Sequence, residues 1–123
     1  MRRKSLFRVA IVGIGPKGLY TLAKLVKALQ AVRSREVEIH IFEQSGKFGN
    51  GTIYDTSQPN YLLMNYQNEH IDHSDLYLSE NKKKPFTKFA KPHYPFSSRG
   101  LVGTYLINLF QDIKGNLPDG VRL

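Results

Sequence analysis

The first apolar run of the chain, Phe7-Arg8-Val9-Ala10-Ile11-Val12, ends in a glycine triad, Gly13-Ile14-Gly15-Pro16-Lys17-Gly18. A glycine pattern of this kind is common by chance, so its surroundings decide what it means. The run before it is apolar except for Arg8 at its entrance, as in a parallel strand covered on both faces. Pro16 falls where the first helical turn begins, a position that tolerates its missing N–H and uses its fixed φ. Leu19, Leu22, Ala23, Val26 and Leu29 then recur at helical spacing as far as about Val32, with Lys24 and Lys27 outside the stripe. Ser34-Arg35-Glu36 turns into a second apolar run, Val37 to Phe42, which stops at Glu43. Strand, glycine turn, helix, strand and acid in that order predict a βαβ unit of the dinucleotide-binding kind. The expected fold is therefore α/β, with a Rossmann-like parallel sheet.

Each residue of the turn has a physical reason to be there. Gly13 makes the tight exit from the strand, Gly15 lets a pyrophosphate approach the backbone, and Gly18 allows close packing of helix on strand. The amides that open the helix lack intrahelical acceptors, and the helix dipole favours an anion at that end. Pro16 and Lys17 belong to the same turn, and Lys17 adds positive charge. Glu43 lies 25 positions after Gly18, against the usual distance of about 20, and the long intervening helix accounts for the excess. A carboxylate there accepts ribose hydroxyls and repels a 2′-phosphate, so the half-site suits FAD or NAD and disfavours NADP.

Composition excludes several other chemistries. The chain has no cysteine, which removes disulfides, thiolate metal ligands and a CxxC redox centre, and suggests the cytoplasm. No apolar run approaches the roughly 18 residues of a membrane span. The net charge of +8 favours anionic partners. The basic residues are scattered, however, apart from Lys82-Lys83-Lys84, and no nucleic-acid motif accompanies them, so nucleic-acid binding is not expected. Two imidazoles and a carboxylate lie close together in His70-Ile71-Asp72-His73. They share a face only if that stretch is helical, and no remote ligand stands out, so no metal site is expected. No serine sits in a nucleophile elbow.

Residues 44–96 show no sustained period, with short helices expected near Asp75–Ser79 and Phe86–Ala90 only. So long an excursion points to a functional insertion or part of a larger assembly. A last helix follows, capped by Ser97 or Ser98, with Leu101, Tyr105, Leu106, Leu109, Phe110 and Ile113 on its apolar face and Gly115 at its end. Leu117 to Gly120 then turns into Val121-Arg122-Leu123, the start of another strand. Two clear parallel strands and a beginning do not complete a doubly wound sheet. The expectation is that residues 1–123 are the N-terminal dinucleotide-binding domain of a longer protein, its sheet completed by a C-terminal region. A homodimer or a compact rearranged domain would serve the same need.

Beyond the βαβ unit, Gly49-Asn50-Gly51-Thr52-Ile53-Tyr54 follows the strand-end acid, then Leu62-Leu63-Met64-Asn65, then Ser98-Arg99-Gly100-Leu101-Val102-Gly103-Thr104-Tyr105-Leu106. In this order the chain resembles the N-terminal segment of FAD/NAD(P)-binding flavoprotein oxidoreductases. More narrowly, it resembles a poorly characterised branch with G-x-G-x-x-Y, Leu-Leu-x-Asn and Pro-Arg-x-x-x-Gly-x-Tyr-Leu elements. Ser98 departs from that pattern by replacing the proline before Arg99, and family members run to several hundred residues. The resemblance implies that Gly49, Asn50 and Gly51 lie along the cofactor, with Asn65 and Arg99 making polar contacts near the flavin or a second ligand. Tyr54, Tyr61, Tyr66 and Tyr94 are candidates for stacking on adenine or flavin, with packing as the commoner role. The implied function is the FAD-binding portion of a flavin-dependent oxidoreductase. An NAD-binding enzyme without flavin, a basic binding module with no nucleotide and an assembly surface are the rivals.

Overall fold

A computed structural model describes residues 5–32, 35–90 and 94–123. Met1 to Lys4, and Ser34 of the expected turn, lie outside the described residues. The apolar runs form β1 (Leu6–Val12) and β2 (Glu36–Phe42), which pair in parallel from Leu6↔Glu36 to Val12↔Phe42. Between them runs α1 (Pro16–Gln30), the right order for a crossover unit. A short β3 (Val121–Arg122) adds to β2 in parallel through Val37↔Val121 and Glu38↔Arg122, giving the order β1-β2-β3. The fold is thus α/β with a three-stranded parallel sheet, consistent with an incomplete Rossmann-like arrangement.

Side chains alternate across a strand, so Ile11, Val37 and Ile39 all face one way. They meet Leu19, Leu22, Ala23 and Val26 of α1 and Leu106, Leu109 and Ile113 of α3 (Arg99–Gly115) in one core. Each fully buried leucine in it contributes about 1.5–3 kcal/mol. The opposite face corrects the sequence expectation for β1. Both long helices lie on the core side, so among the described residues Val12 and Phe42 on the other side are 84% and 57% exposed. That open face is also partly ionic. Glu38 accepts from Arg8 at 2.8 Å and from Arg122 at 3.3 Å, joining all three strands.

Between positions 44 and 96 the described residues form two 3₁₀ turns, Asn68–His70 and Ser74–Leu76, and the four-residue α2 (Phe86–Phe89). The second helix falls where the sequence puts it, whereas the first is a single turn slightly earlier. Side-chain hydrogen bonds tie described parts of this stretch to the rest of the fold. Buried Asn68 donates to the carbonyl of Tyr94 at 2.8 Å and accepts from Ser97 at 2.7 Å. Asp112 of α3, 1% exposed, accepts from the amides of Leu78 and Ser79. Ser98, not Ser97, caps α3, its Oγ accepting from the Leu101 amide at 3.2 Å. At the other end Gly115 is the last helical residue and has no positive φ. Asn116 makes the cap instead, donating from Nδ2 to the Asp112 carbonyl at 2.8 Å.

Candidate functional site

The exit from β1 builds the site. Gly13 has φ +86°, a conformation that L side chains rarely adopt, and its amide donates to the Phe42 carbonyl at 2.7 Å. That bond ties the glycine turn to the end of β2. A Cβ on Gly18 would run into the carbonyl oxygen of Gly13, so the first turn of α1 packs directly on the strand exit. Gly15 is the N-cap, extended and without a capping side chain, and Pro16 opens the helix. The amides of Lys17 and Gly18 have no acceptor among the described residues, which leaves an open anion-favouring helix end.

Glu43 follows β2 directly. One carboxylate oxygen, Oε1, accepts from the Ile14 amide at 3.0 Å, and Oε2 accepts from both the amide and the hydroxyl of Ser45, each at 2.8 Å. The Ser45 amide, the Ile14 amide and the Ser45 hydroxyl hold the carboxyl below the usual glutamate range, so it is ionised at neutral pH. The acid end and the glycine turn are therefore joined into one structure.

Residues 48–56 form the facing wall. Gly49 donates to the Ile14 carbonyl at 2.7 Å, and a Cβ on Gly51 would lie 3.4 Å from Gly15 Cα. Asn50, 3% exposed, donates from Nδ2 to the Tyr54 carbonyl at 3.1 Å and so closes the turn. Behind this loop stands α3. A Cβ on Gly103 would collide with the Tyr54 carbonyl, and one on Gly100 would sit 3.3 Å from that of Thr56. Asp55 pairs with Lys47 and accepts from Ser57, which lowers its pKa to about 2.

These pieces enclose a cleft of about 830 Å³ at the C-terminal ends of β1 and β2. Of the residues expected from sequence, Gly15, Pro16, Lys17, Glu43, Asn50 and Gly51 line it. Gly13, Gly18 and Gly49 shape it from beneath through the contacts above. Asn65 and Arg99 do not line it. Both are exposed beside the isolated antiparallel bridge Leu63↔Ser98, where the Arg99 amide donates to the Leu62 carbonyl at 2.8 Å. Tyr54 joins the lining, together with Gln44, Ser45, Thr52 and Ile53, which sequence reasoning missed. Ser45 had a readable signal, a hydroxyl two residues past an acid in a turn, where side chains bond the local backbone.

The geometry sets the glycine triad, the open helix end and the strand-end acid around one cleft, with the Gly49-to-Tyr54 element as its second wall. Residues 10–123 match a family described as FAD-NAD(P)-binding. The chain belongs to that family. The matched span takes in the last three residues of β1 and every later element, so the glycine triad, Glu43 and the later motifs all fall within the family region. No curated protein matched the chain. Membership makes this a dinucleotide-binding domain. Within it, Ser98 in place of the pattern's proline supplies the N-cap of α3, so the departure leaves the helix entry intact. The two histidines of residues 70–73 are used separately, His70 exposed beside Glu69 and His73 between Tyr20 and Tyr105. No described helix is long and apolar enough to cross a membrane.

Proposed function

We propose that the chain binds the adenosine-pyrophosphate end of FAD in this cleft and forms the N-terminal dinucleotide-binding domain of a cytoplasmic flavin-dependent oxidoreductase. One observation carries the reading: Glu43 lines the same cleft as Gly15 and the N-terminus of α1. A ribose on the acid and a pyrophosphate at the helix end are then compatible with a single ligand. The fit extends to shape, because Gly15 and Gly51 face each other where side chains would narrow the space.

In this reading the Lys17 and Gly18 amides and the Lys17 ammonium meet the pyrophosphate charge, while Gly13 and Gly18 hold the turn in place. Glu43 accepts from the ribose and excludes a 2′-phosphate by repulsion. Asn50 and Gly49 keep the second wall closed, and Gly51 gives it clearance. Asn65 and Arg99, outside the cleft, are assigned to the part of the ligand that extends beyond it. Bound flavin supplies hydride or oxygen chemistry, and the chain supplies binding and orientation.

FAD titration with NADH as competitor tests the assignment. Saturable FAD binding that NADH does not displace is the expected result. Binding of NADH in preference to FAD would favour an NAD enzyme, and salt-sensitive nucleic-acid binding without either would favour a basic binding module.

A further inference from the structure

An ionised carboxylate offers about four accepting positions, two on each oxygen. In Glu43 three are taken. Oε2 receives two donors, the amide and the hydroxyl of Ser45, and Oε1 receives one, the Ile14 amide. The Ser45 hydroxyl is held from its other side as well, since its oxygen accepts from the Lys47 amide at 3.2 Å. Its single proton is therefore directed to Glu43. Two cations lie on the adjoining segments: Lys17 lines the cleft, while Lys47 pairs with Asp55.

We propose that Glu43 recognises one adenosine ribose hydroxyl, through Oε1, because Ser45 already fills the accepting positions of Oε2. This rests on the cofactor reading above and sharpens it: Ser45 becomes a positioning residue that sets how the acid reads the sugar. A carboxylate free at both oxygens would hold the 2′- and 3′-hydroxyls together. Here a second hydroxyl has to displace that of Ser45, exchanging one hydrogen bond for another with little gain.

The test compares FAD with two analogues whose adenosine ribose lacks either the 2′- or the 3′-hydroxyl, each titrated by flavin fluorescence. With the wild-type chain, one deletion is expected to weaken binding about tenfold or more, as for a lost hydrogen bond to a charged group, and the other to leave it unchanged. Ser45→Ala opens a position on Oε2, so the silent deletion becomes costly. Ser45→Thr keeps a hydroxyl and retains the wild-type asymmetry. Ser45 is exposed in a surface turn, so its variants report on the sugar contact and not on folding. Equal costs for the two deletions, no cost for either, or an asymmetry that survives Ser45→Ala would each overturn the proposal. Failure of the FAD reading looks different, because unmodified FAD would then not bind the wild-type chain.

Discussion

Gly15 and Gly18 of the triad respond differently when given a side chain. A Cβ at Gly15 meets only Gly51 Cα, at 3.9 Å, an ordinary contact, so Gly15→Ala should keep the wild-type melting temperature. Any loss of cofactor affinity in that variant reports on the ligand. Gly18→Ala drives a methyl into the Gly13 carbonyl and should destabilise the fold by about 1–3 kcal/mol in urea unfolding, as overpacking does. Glu43→Ala should weaken cofactor binding by about 1–3 kcal/mol in titration, from hydrogen-bonding partners left unpaired. The acid's pH behaviour follows from the direction of its shift. Its carboxyl is held below the unfolded value, so its contribution to stability is present above the ordinary glutamate range and lost as pH falls through the lower folded value. Cofactor affinity should therefore stay level from neutral pH down through the ordinary range, and fall only below it. Asp55 has the same sign, with its Lys47 pair persisting until pH approaches about 2.

At the scale of elements, α3 explains why residues 48–56 form a wall. Gly100 and Gly103 present bare backbone on one side of the helix, and the loop rests there. Gly103→Ala should lower the melting temperature and weaken cofactor binding together, because the displaced Tyr54 carbonyl is the one that Asn50 holds. Asp112→Ala should cost about 1–3 kcal/mol in unfolding, leaving the amides of Leu78 and Ser79 without their acceptor. Neither residue announced this role in the sequence. β1, α1, β2 and α3 were legible because burial on one face imposes a period of two or 3.6. Residues 44–96 were not, because their order comes from bonds such as Asn68 to the Tyr94 carbonyl, which link distant positions and leave no period. The end of α3 shows the same limit: Gly115 marks the last residue, but the cap belongs to the Asn116 side chain.

Across the whole molecule, both long helices lie on one side of the sheet and the cleft opens at the carboxyl ends of β1 and β2. Ligands of open α/β sheets bind outside those ends, so topology and site agree. The first wall of the cleft could be read from the glycine pattern and Glu43, since local turn chemistry determines it. The positions of Asn65 and Arg99 could not be read, because the Leu63↔Ser98 bridge and not sequence spacing sets them. The covering of β1 was misjudged for a related reason. A continuous apolar run shows that a strand can be buried on both faces, but whether it is buried depends on where the helices sit. The central claim is that one cleft holds the cofactor through the glycine turn, and a flavin fluorescence titration of the chain beside Gly15→Val tests it most directly. The account predicts saturable FAD binding by the wild-type chain and none by the variant, with both folded by circular dichroism. Equal binding by the folded variant, or no binding by the wild-type chain, would contradict it.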